Sequence, residues 1–360
     1  MPQSKVDTSH GFSPASRFNR EVGRAAADTL RLDGLLEVGI LSPQIHQVLL
    51  TVARSRNAVS SFRMEGERVE LERVRAILDG QSPTTRPEIG VKRLADAYAK
   101  LARGQIPDLS VGGICTLHRD MFSGILVDEK GADREAWVGT LKVQQNSIID
   151  PGGVRFIPTP PGRTVRELEA LLEWYDSVRG LWLPPIVAAV FFAEFQAIHP
   201  FMDGNGRIGR LLNAALLVDM GCTQAPLAPI DLRLFRSSDH YYELLATTNA
   251  GTRYDLWARY FVGEIRHAYR VARKQADLSD VVEKFTRSST RSILSWILSG
   301  SGAWFSRGEF PNPVGYSQPA LWAALDELSS AGIIESKGQR RGRRYRLQPR
   351  FLAGLYAGRV

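Results

Sequence analysis

The sequence predicts a mainly α-helical protein with one β-hairpin and a small basic domain in its C-terminal part. Apolar residues recur at intervals of three and four in several segments, which is the spacing of a helix face. The stretch from Pro185 to Ile198 is Ala-rich, apolar and free of turn signals, as is typical of a buried helix with proline at its start. Alternating apolar residues flank Pro151-Gly-Gly153 and predict the hairpin.

Residues 1–110 are predicted to form a helical N-terminal region. One helix begins at Ser42, a favourable N-cap followed by Pro43, and the apolar spacing carries it to Ala58. Helical spacing recurs in four further segments: 71–78, 90–102, 111–125 and 165–178. The last two belong to a central helical domain, residues 111–270, and residues 268–280 have the composition of a linker or helical connector.

A polar motif follows the apolar stretch, and residues 199–210 read His-Pro-Phe-Met-Asp-Gly-Asn-Gly-Arg-Ile-Gly-Arg. Gly204 and Gly206 allow backbone N–H groups to turn toward an anion, and a helix predicted to start near Asn205 adds the positive end of its dipole. Arg207 and Arg210 lie three apart and therefore share a helix face. This combination indicates a phosphate-binding site.

Two side chains of the motif indicate the chemistry at that phosphate. A neutral His199 can accept a proton from an attacking hydroxyl near neutral pH. Asp203 is a hard oxygen ligand suited to a Mg2+ ion that bridges phosphate oxygens. Since the motif offers no covalent nucleophile, these residues fit metal-assisted transfer of part of a nucleotide to a hydroxyl.

The motif resembles the His-x-Phe-x-Asp/Glu-Gly-Asn-Gly-Arg-x-x-Arg motif of the Fic family of nucleotidyl transferases at every fixed position. The resemblance implies a Fic fold, a helical bundle with a hairpin flap, for residues 111–270. It implies that His199 is the general base, that Asp203 binds the metal, and that AMP passes from ATP to a protein hydroxyl. Residues 204–207 would hold the α- and β-phosphates, and Arg210 the γ-phosphate. The nucleotide-binding residues implied within the motif are His199, Gly204, Asn205, Gly206, Arg207, Ile208, Gly209 and Arg210.

A second interpretation uses the same residues, because Gly204 to Gly209 also satisfies the dinucleotide fingerprint G-x-G-x-x-G. That fingerprint needs a preceding strand and an acidic residue about twenty positions on. A helix is predicted before the motif instead, which favours the first interpretation. A third interpretation, in which the His and Arg residues only cap and pair in a core, leaves the glycines unexplained.

An upstream segment, Ser61 to Gly66, resembles the inhibitory motif Ser/Thr-x-x-x-Glu-Gly/Asn of the same family. The resemblance implies that Glu65 pairs with Arg210 and keeps the γ-phosphate of ATP out of its productive position. Ser61, Glu65 and Gly66 are then the inhibitory residues. Ser-x-x-x-Glu is also close to a capping box, so a simple helix end is the alternative.

Residues 139–161 are predicted to form the flap, with strands in 139–145 and 154–161. In the family this hairpin adds a strand to the target segment, so a protein substrate is expected to dock there. The family commonly has Phe/Tyr-Arg where this chain has Leu141-Lys142. An ordinary surface hairpin is the alternative.

A helix predicted after Asp239 places Tyr241, Leu245 and Asn249 on one face, beside Tyr242. By resemblance this face lines the adenine pocket, with aromatic and aliphatic contacts to the base and a hydrogen bond from Asn249. Without the family, aromatic residues at helical spacing would indicate core packing.

The composition indicates a globular protein with well-buried cores, since 44% of its 360 residues are hydrophobic. Its two cysteines, Cys115 and Cys222, argue against a disulfide framework. The polar start of the sequence lacks a signal segment, and no stretch reaches the roughly eighteen apolar residues of a membrane span. We therefore expect a cytoplasmic protein without membrane contact, and a homodimer is compatible with the sequence.

Residues 281–360 carry twelve Lys and Arg against five Asp and Glu, which is +7 of the chain's net charge of +8. Predicted helices at 288–298 and 317–330, followed by a basic hairpin around 337–343, resemble a winged helix. Winged helices place the second helix in the major groove of DNA and the wing on phosphates. Here the second helix contains two acidic residues and no Lys or Arg, so docking to protein is equally compatible.

The residues and the resemblance together imply a protein adenylyltransferase that uses ATP and Mg2+. Its acceptors would be Ser, Thr or Tyr hydroxyls of a target protein, with the protein itself as a further acceptor, and Glu65 would hold the activity low. The alternative is a nucleotide-sensing, DNA-binding transcriptional regulator.

Overall fold

The computed structural model describes residues 18–39, 43–127, 131–150, 153–249, 254–299, 304–312, 314–339 and 342–348. Within these residues the chain forms thirteen α-helices and five short strands. The helices are α1 (Arg20–Gly39), α2 (Pro43–Arg63), α3 (Leu71–Leu78), α4 (Arg86–Leu101), α5 (Val111–Phe122), α6 (Pro161–Val178), α7 (Pro184–Ile198), α8 (Asn205–Asp219), α9 (Ile230–Arg236), α10 (Ser238–Asn249), α11 (Tyr254–Glu283), α12 (Ser288–Ser299) and α13 (Gln318–Ser330). The strands are β1 (Ile148–Asp150), β2 (Gly153–Phe156), β3 (Phe305–Ser306), β4 (Ile334–Lys337) and β5 (Arg344–Leu347). The predicted mainly α fold is confirmed.

Helix α7 is the centre of the helical core. Every residue from Pro185 to Ile198 is buried, because this helix is apolar on all sides and its neighbours cover each face. Helices α6, α8 and α11 pack on it, and Trp257 of α11 donates its indole N–H to the Ala189 carbonyl at 2.7 Å. The predicted buried helix is confirmed. Among the described residues, no helix is both long enough and apolar enough to cross a membrane.

Helix α2 carries the upstream motif into the centre of the molecule, where it packs on α4 and α9 and reaches α8. The prediction that this helix ends at Ala58 is wrong, and it continues to Arg63. Val59 and Phe62 extend its buried face, and packing of that face stabilises the additional turn. The predicted N-cap, Ser42, lies outside the described residues.

A two-stranded antiparallel sheet forms the flap, in which β1 pairs with β2 and Asp150 lies opposite Gly153. The prediction of a strand within 139–145 is wrong, because that segment has no strand in the structure. Its backbone bonds instead to the loop after α7, where the Lys142 N–H donates to the Pro200 carbonyl at 2.8 Å. The chain therefore pairs with the polar motif before it forms the hairpin.

The C-terminal elements follow the order helix, strand, helix, strand, strand. Helices α12 and α13 pack together, and the antiparallel sheet has the order β3-β5-β4. Ser317 caps α13 with its hydroxyl, and Leu321, Leu325 and Leu328 lie on the buried face of that helix. The 268–280 connector is helical, since it belongs to α11.

Candidate active site

His199 caps the C-terminal end of α7 in a left-handed conformation (φ 50°, ψ 62°). This conformation costs energy for a residue with a side chain, so the surroundings must hold it. Its ring Nδ1 lies 3.3 Å from the Gln196 carbonyl, which can only accept, so Nδ1 carries the proton and Nε2 keeps a lone pair. Burial and the positive charge of Lys142 lower the pKa of His199 to about 4. The imidazole is therefore neutral at physiological pH and able to accept a proton.

The loop after α7 turns into α8 at Gly204, whose φ of 82° favours glycine. The first hydrogen bond of the helix runs from the Ile208 N–H to the Gly204 carbonyl at 2.9 Å. The N–H groups of Asn205, Gly206 and Arg207 precede that bond and lie at the positive end of the helix dipole. Backbone donors at a helix N-terminus form an anion site of the kind that phosphates occupy.

Three motif residues, Asn205, Ile208 and Gly209, hold this loop and helix in place. Asn205 accepts the Phe201 N–H and donates to the Phe201 carbonyl, each at 2.8 Å. Ile208 is buried in the core. Gly209 lets Gln196 of α7 approach, because a Cβ atom there would overlap the Gln196 amide. In this structure Asn205 bonds to the motif loop, Ile208 packs in the core, and Gly209 allows the close approach of α7. The resemblance assigns all three residues to nucleotide binding.

Asp203 and Arg207 form an ion pair beside the helix N-terminus, with Nη2 of Arg207 2.9 Å from Oδ1 of Asp203. The Arg207 guanidinium is buried, and its carbon lies 4.6 Å from the ring centroid of Phe122 and 5.2 Å from that of Phe62. The Asp203 side chain is 40% exposed and open to a ligand. One exposed carboxylate at a phosphate site suits Mg2+, which takes its other ligands from phosphates and water. No group of three or more His, Cys, Asp or Glu in the described part of the chain could hold a metal by itself.

Arg210 is fully buried and meets the last turn of α2. Its Nε donates to the Ser61 hydroxyl at 2.8 Å, and its Nη2 donates to the Ser61 carbonyl at 2.8 Å and to Oε1 of Glu65 at 2.6 Å. Burial by itself would lower the pKa of Arg210, but the Glu65 carboxylate raises it above the ordinary value. Gly66, with a φ of 83°, turns the chain directly after Glu65. The guanidinium is thus charged, buried and already paired.

The Glu65 carboxylate also fills the space over the N-terminus of α8. A Cβ atom added to Gly206 would overlap Oε1 of Glu65 and would come within 3.1 Å of Nη1 of Arg210. Tyr242 donates its hydroxyl to the Met64 carbonyl at 2.9 Å and so supports the turn that carries Glu65. Glu65 and a phosphate group at this helix end would therefore compete for the same space.

The central region, which carries the motif and the flap, has a known family relationship. Residues 108–217 match the model of the Fic/DOC family, and this stretch includes α5, the flap and the whole of residues 199–210. The central region is a Fic domain. The resemblance of residues 199–210 to the Fic family is confirmed by this match.

Several curated relatives of this chain carry the name protein adenylyltransferase Fic. The Drosophila melanogaster protein is 29% identical over 198 residues, which cover 53% of this chain and 36% of the relative. The Drosophila willistoni protein is 26% identical over 259 residues, which cover 68% of this chain and 48% of the relative. The chain thus spans less than half the length of these relatives.

Solved structures of Fic proteins share the fold of this chain. A Fic family protein from Desulfovibrio desulfuricans G20 matches 94% of this chain and 99% of its own, with a TM-score of 0.63 and 21% identity. Fic-1 from C. elegans matches 72% of this chain and 73% of its own, with a TM-score of 0.55 and 17% identity. At these identities the likeness establishes the fold alone.

His118 of α5 is a Fic-domain residue that the sequence did not indicate. It is buried, its Nδ1 accepts the Gly139 N–H at 3.0 Å, and its Nε2 donates to the Asp203 carbonyl at 3.0 Å. Burial lowers the pKa of His118 to about 4, so this ring is neutral as well. It joins the start of the flap to the motif loop, and Asn146 bonds to the same loop. A single histidine on a distant helix carries no periodic signal, so only the fold reveals this role.

Asp231 of α9 is a second residue that only the fold brings to the Fic motif. Its Oδ2 accepts the Tyr98 hydroxyl at 2.9 Å, and it shares a hydrogen bond with Ser61, which in turn holds Arg210. Burial raises the pKa of Asp231 to about 6, and the Arg210 charge opposes that rise. A buried network thus extends from Arg210 into the core of the protein.

The predicted adenine face of α10 is largely covered in this structure. Tyr241 is fully buried among aromatic rings of α7 and α11, and Leu245 is buried too. Tyr242, which is 38% exposed, is the tyrosine of this pair that solvent reaches. The side chain of Asn249 lies outside the described residues. The alternative that the sequence left open, core packing, applies to Tyr241 here.

Proposed function

We propose that this protein transfers AMP from ATP to a Ser, Thr or Tyr hydroxyl of a target protein. One observation carries the proposal: the neutral imidazole of His199 and the N-terminus of α8 are joined by a single short loop. One segment thereby offers a base for the attacking hydroxyl and a cradle for phosphates. The name of the Drosophila relatives supports this proposal.

In this proposal Nε2 of His199 takes the proton of the target hydroxyl as its oxygen attacks the α-phosphorus of ATP. The new bond joins that oxygen to AMP, the bond between the α- and β-phosphates breaks, and pyrophosphate leaves. The N–H groups at the start of α8 hold the α- and β-phosphates, and Arg210 holds the γ-phosphate. Preplaced charges and donors of this kind supply most of the catalysis in phosphoryl transfer.

Asp203 would hold Mg2+ in this scheme, and the ion would neutralise charge on the phosphate oxygens when bound. We expect Asp203→Ala to lose transfer by roughly a hundredfold or more at any ordinary Mg2+ concentration, because the exposed carboxylate of the motif is removed. Initial rates across a Mg2+ titration measure this. Asp239→Ala, which removes an exposed carboxylate on α10, should leave the rate unchanged. Transfer by the unaltered protein in excess EDTA would contradict the assignment.

We propose further that Glu65 holds this activity low. Its carboxylate lies 2.6 Å from Arg210 and covers the backbone of Gly206. ATP can place its γ-phosphate on Arg210 only after that pair separates. Ser61 and Gly66 support the contact, the first by binding Arg210 and the second by turning the chain. The same residues also terminate α2, so a purely structural role is the competing hypothesis.

Labelled ATP separates an adenylyltransferase from a nucleotide-sensing regulator. ATP labelled at the α-phosphate is incubated with the pure protein and Mg2+, with and without a cell lysate, and covalent label is read on a denaturing gel. An adenylyltransferase should label itself or a lysate protein, and the His199→Ala variant should not. ATP binding without covalent AMP, in both the unaltered protein and Glu65→Gly, would favour the regulator.

We propose that the target docks on the flap. Strands β1 and β2 are both edge strands of their two-stranded sheet. An extended target segment can add to such an edge through main-chain hydrogen bonds, which hold it while reading its sequence loosely. A homodimer is not required by any part of this scheme.

As a second function, we propose that residues 281–360 form a winged-helix-like domain whose wing contacts nucleic-acid phosphates. The observation that favours it is a group of basic residues on and beside β4 and β5: Lys337, Arg343, Arg344 and Arg346. The exposed face of α13 presents Trp322 and Asp326 instead, which do not suit base reading in the major groove. We therefore expect binding that is independent of DNA sequence.

The Lys337→Ala variant should weaken duplex DNA binding equally for different sequences. It should also reduce the slope of log K against log salt by about one, as expected for the loss of one phosphate contact. Fluorescence anisotropy of labelled duplexes at several salt concentrations measures both effects. Lys92→Ala, on α4, is the matched control. Binding that does not weaken with salt would contradict a phosphate contact.

A further inference from the structure

Lys142, in the segment before β1, holds the backbone on both sides of His199. Its Nζ donates to the Ile198 carbonyl at 3.0 Å, and its own N–H donates to the Pro200 carbonyl at 2.8 Å. Lys142 as a whole residue is 3% exposed, so its ammonium lies away from bulk water. A buried ammonium must be hydrogen-bonded to offset its desolvation, and here the loop carbonyl supplies part of that bonding.

Asn146 bonds to two further carbonyl groups of this stretch, which Lys142 does not contact. Its Nδ2 donates to the His199 carbonyl at 3.3 Å and to the Phe201 carbonyl at 2.9 Å. Its Oδ1 accepts from Nζ of Lys142 at 2.9 Å, which joins the two side chains. Four successive carbonyl groups, those of residues 198–201, are therefore all bonded to Lys142 and Asn146.

These bonds hold the one part of the motif loop whose conformation is strained. His199 has a positive φ of 50°, and such a conformation persists only where the surroundings determine it. The chain before and after His199 is bonded to one segment, so that segment fixes the direction in which the imidazole leaves the backbone. Small errors in this direction are costly, since a misplacement of about 1 Å can cost roughly a hundredfold in rate.

The two side chains differ in charge, and this difference makes their roles separable. Three charged groups influence the pKa of the His199 ring: Lys142 from the flap side, Glu65 from the end of α2 and Asp203 from the motif loop. Lys142 disfavours a positive imidazole and lowers its pKa, whereas the two carboxylates raise it. Asn146 carries no charge and acts through geometry alone.

We propose that Lys142 and Asn146 are positioning residues that hold residues 198–201 for general-base action, and that Lys142, unlike Asn146, also acts on the imidazole through its charge. This inference rests on the proposed AMP transfer. The first test does not depend on that activity, because it observes the His199 ring directly.

The first test follows the His199 ring by NMR in the full chain labelled at its six histidines. His199→Ala assigns the resonance. We expect Lys142→Met to raise the pKa of His199 by about one or more, as the loss of a neighbouring charge should. Lys142→Arg, Asn146→Ala and the distant control Lys92→Met should leave it unchanged. An unchanged pKa in Lys142→Met overturns the charge role. Should Lys142→Met fail to fold, Lys142→Gln provides the same comparison.

The second test measures AMP transfer against pH in the Glu65→Gly background. Lys142→Met should move the acid limb of the kcat profile to higher pH. Asn146→Ala should lower kcat by roughly ten- to a hundredfold, leaving the acid limb and the KM for ATP in place, because the phosphate cradle is untouched. A raised KM with unchanged kcat in Asn146→Ala overturns the positioning role. If no form of the protein transfers AMP, the proposed function fails while the NMR result still decides the charge role of Lys142.

Discussion

The His199→Ala variant should lose AMP transfer almost completely while it continues to bind ATP. The imidazole removes the proton of the attacking hydroxyl, a role that contributes roughly a hundred- to ten-thousand-fold to rate. The phosphates are held elsewhere, by the N-terminus of α8 and by Arg210. Transfer of labelled AMP in the Glu65→Gly background and ATP binding by calorimetry measure the two halves of this prediction.

His240→Ala is the matched control, because His240 is an exposed histidine on α10. It should change neither transfer nor binding. Appreciable labelling by His199→Ala would reject the assigned base. Since the pKa of His199 is lowered to about 4, the basic form predominates above that value. Transfer should therefore persist at mildly acidic pH and fall only as the pH approaches 4 and the imidazole becomes protonated.

The Glu65→Gly variant should transfer AMP faster than the unaltered protein. A hydrogen bond to a charged group contributes about 1.5–3 kcal/mol, so releasing Arg210 should raise the rate on the order of ten- to a hundredfold. A catalytic carboxylate would behave in the opposite way. The melting temperature should fall at the same time, because the buried Arg210 loses its charged partner. Initial rates and thermal unfolding of the two proteins measure these effects.

Arg210→Ala tests the same inhibitory contact by removing the partner of Glu65. It should abolish transfer with or without Glu65, because the group that Glu65 holds is also the group that the γ-phosphate needs. Glu70→Gly, which removes a largely exposed carboxylate at the start of α3, should leave the rate unchanged. The inhibitory hypothesis is wrong if Glu65→Gly is slower than the unaltered protein. It is equally wrong if adding Arg210→Ala leaves Glu65→Gly fully active, and residues 61–66 would then be only a helix end.

Helices with strong local signals could be predicted from the sequence. Helix α7 was predicted as a buried helix, because it is apolar on every side and begins at prolines. Helix α13 was predicted from Ser317 and the proline that follows, since a hydroxyl cap and a proline in the first turn are both local effects. The mainly α fold follows from several such segments, each of which needs only its own neighbours.

Predictions failed where distant contacts override local preference. Residues 139–145 alternate as a strand would, yet the Lys142 N–H bonds to Pro200 and no strand forms. Helix α2 extends beyond its predicted end at Ala58 because Val59 and Phe62 pack in the buried core. Tyr241 lies in the aromatic core, and helical spacing alone cannot distinguish a pocket wall from a core. In each case the deciding partner is far away in sequence.

The sequence by itself determined the chemical groups of the Fic motif and their order. A base, an oxygen ligand, a glycine turn and a helix start follow one another within residues 199–210, so their arrangement is set by local backbone geometry. Tertiary structure alone decided what surrounds them. Glu65 reaches Arg210 across 145 residues of chain, and Lys142 reaches Ile198 across 56. These contacts exist because packing of α2, α8 and the flap against one core brings the groups together and excludes water, which strengthens the bonds between them.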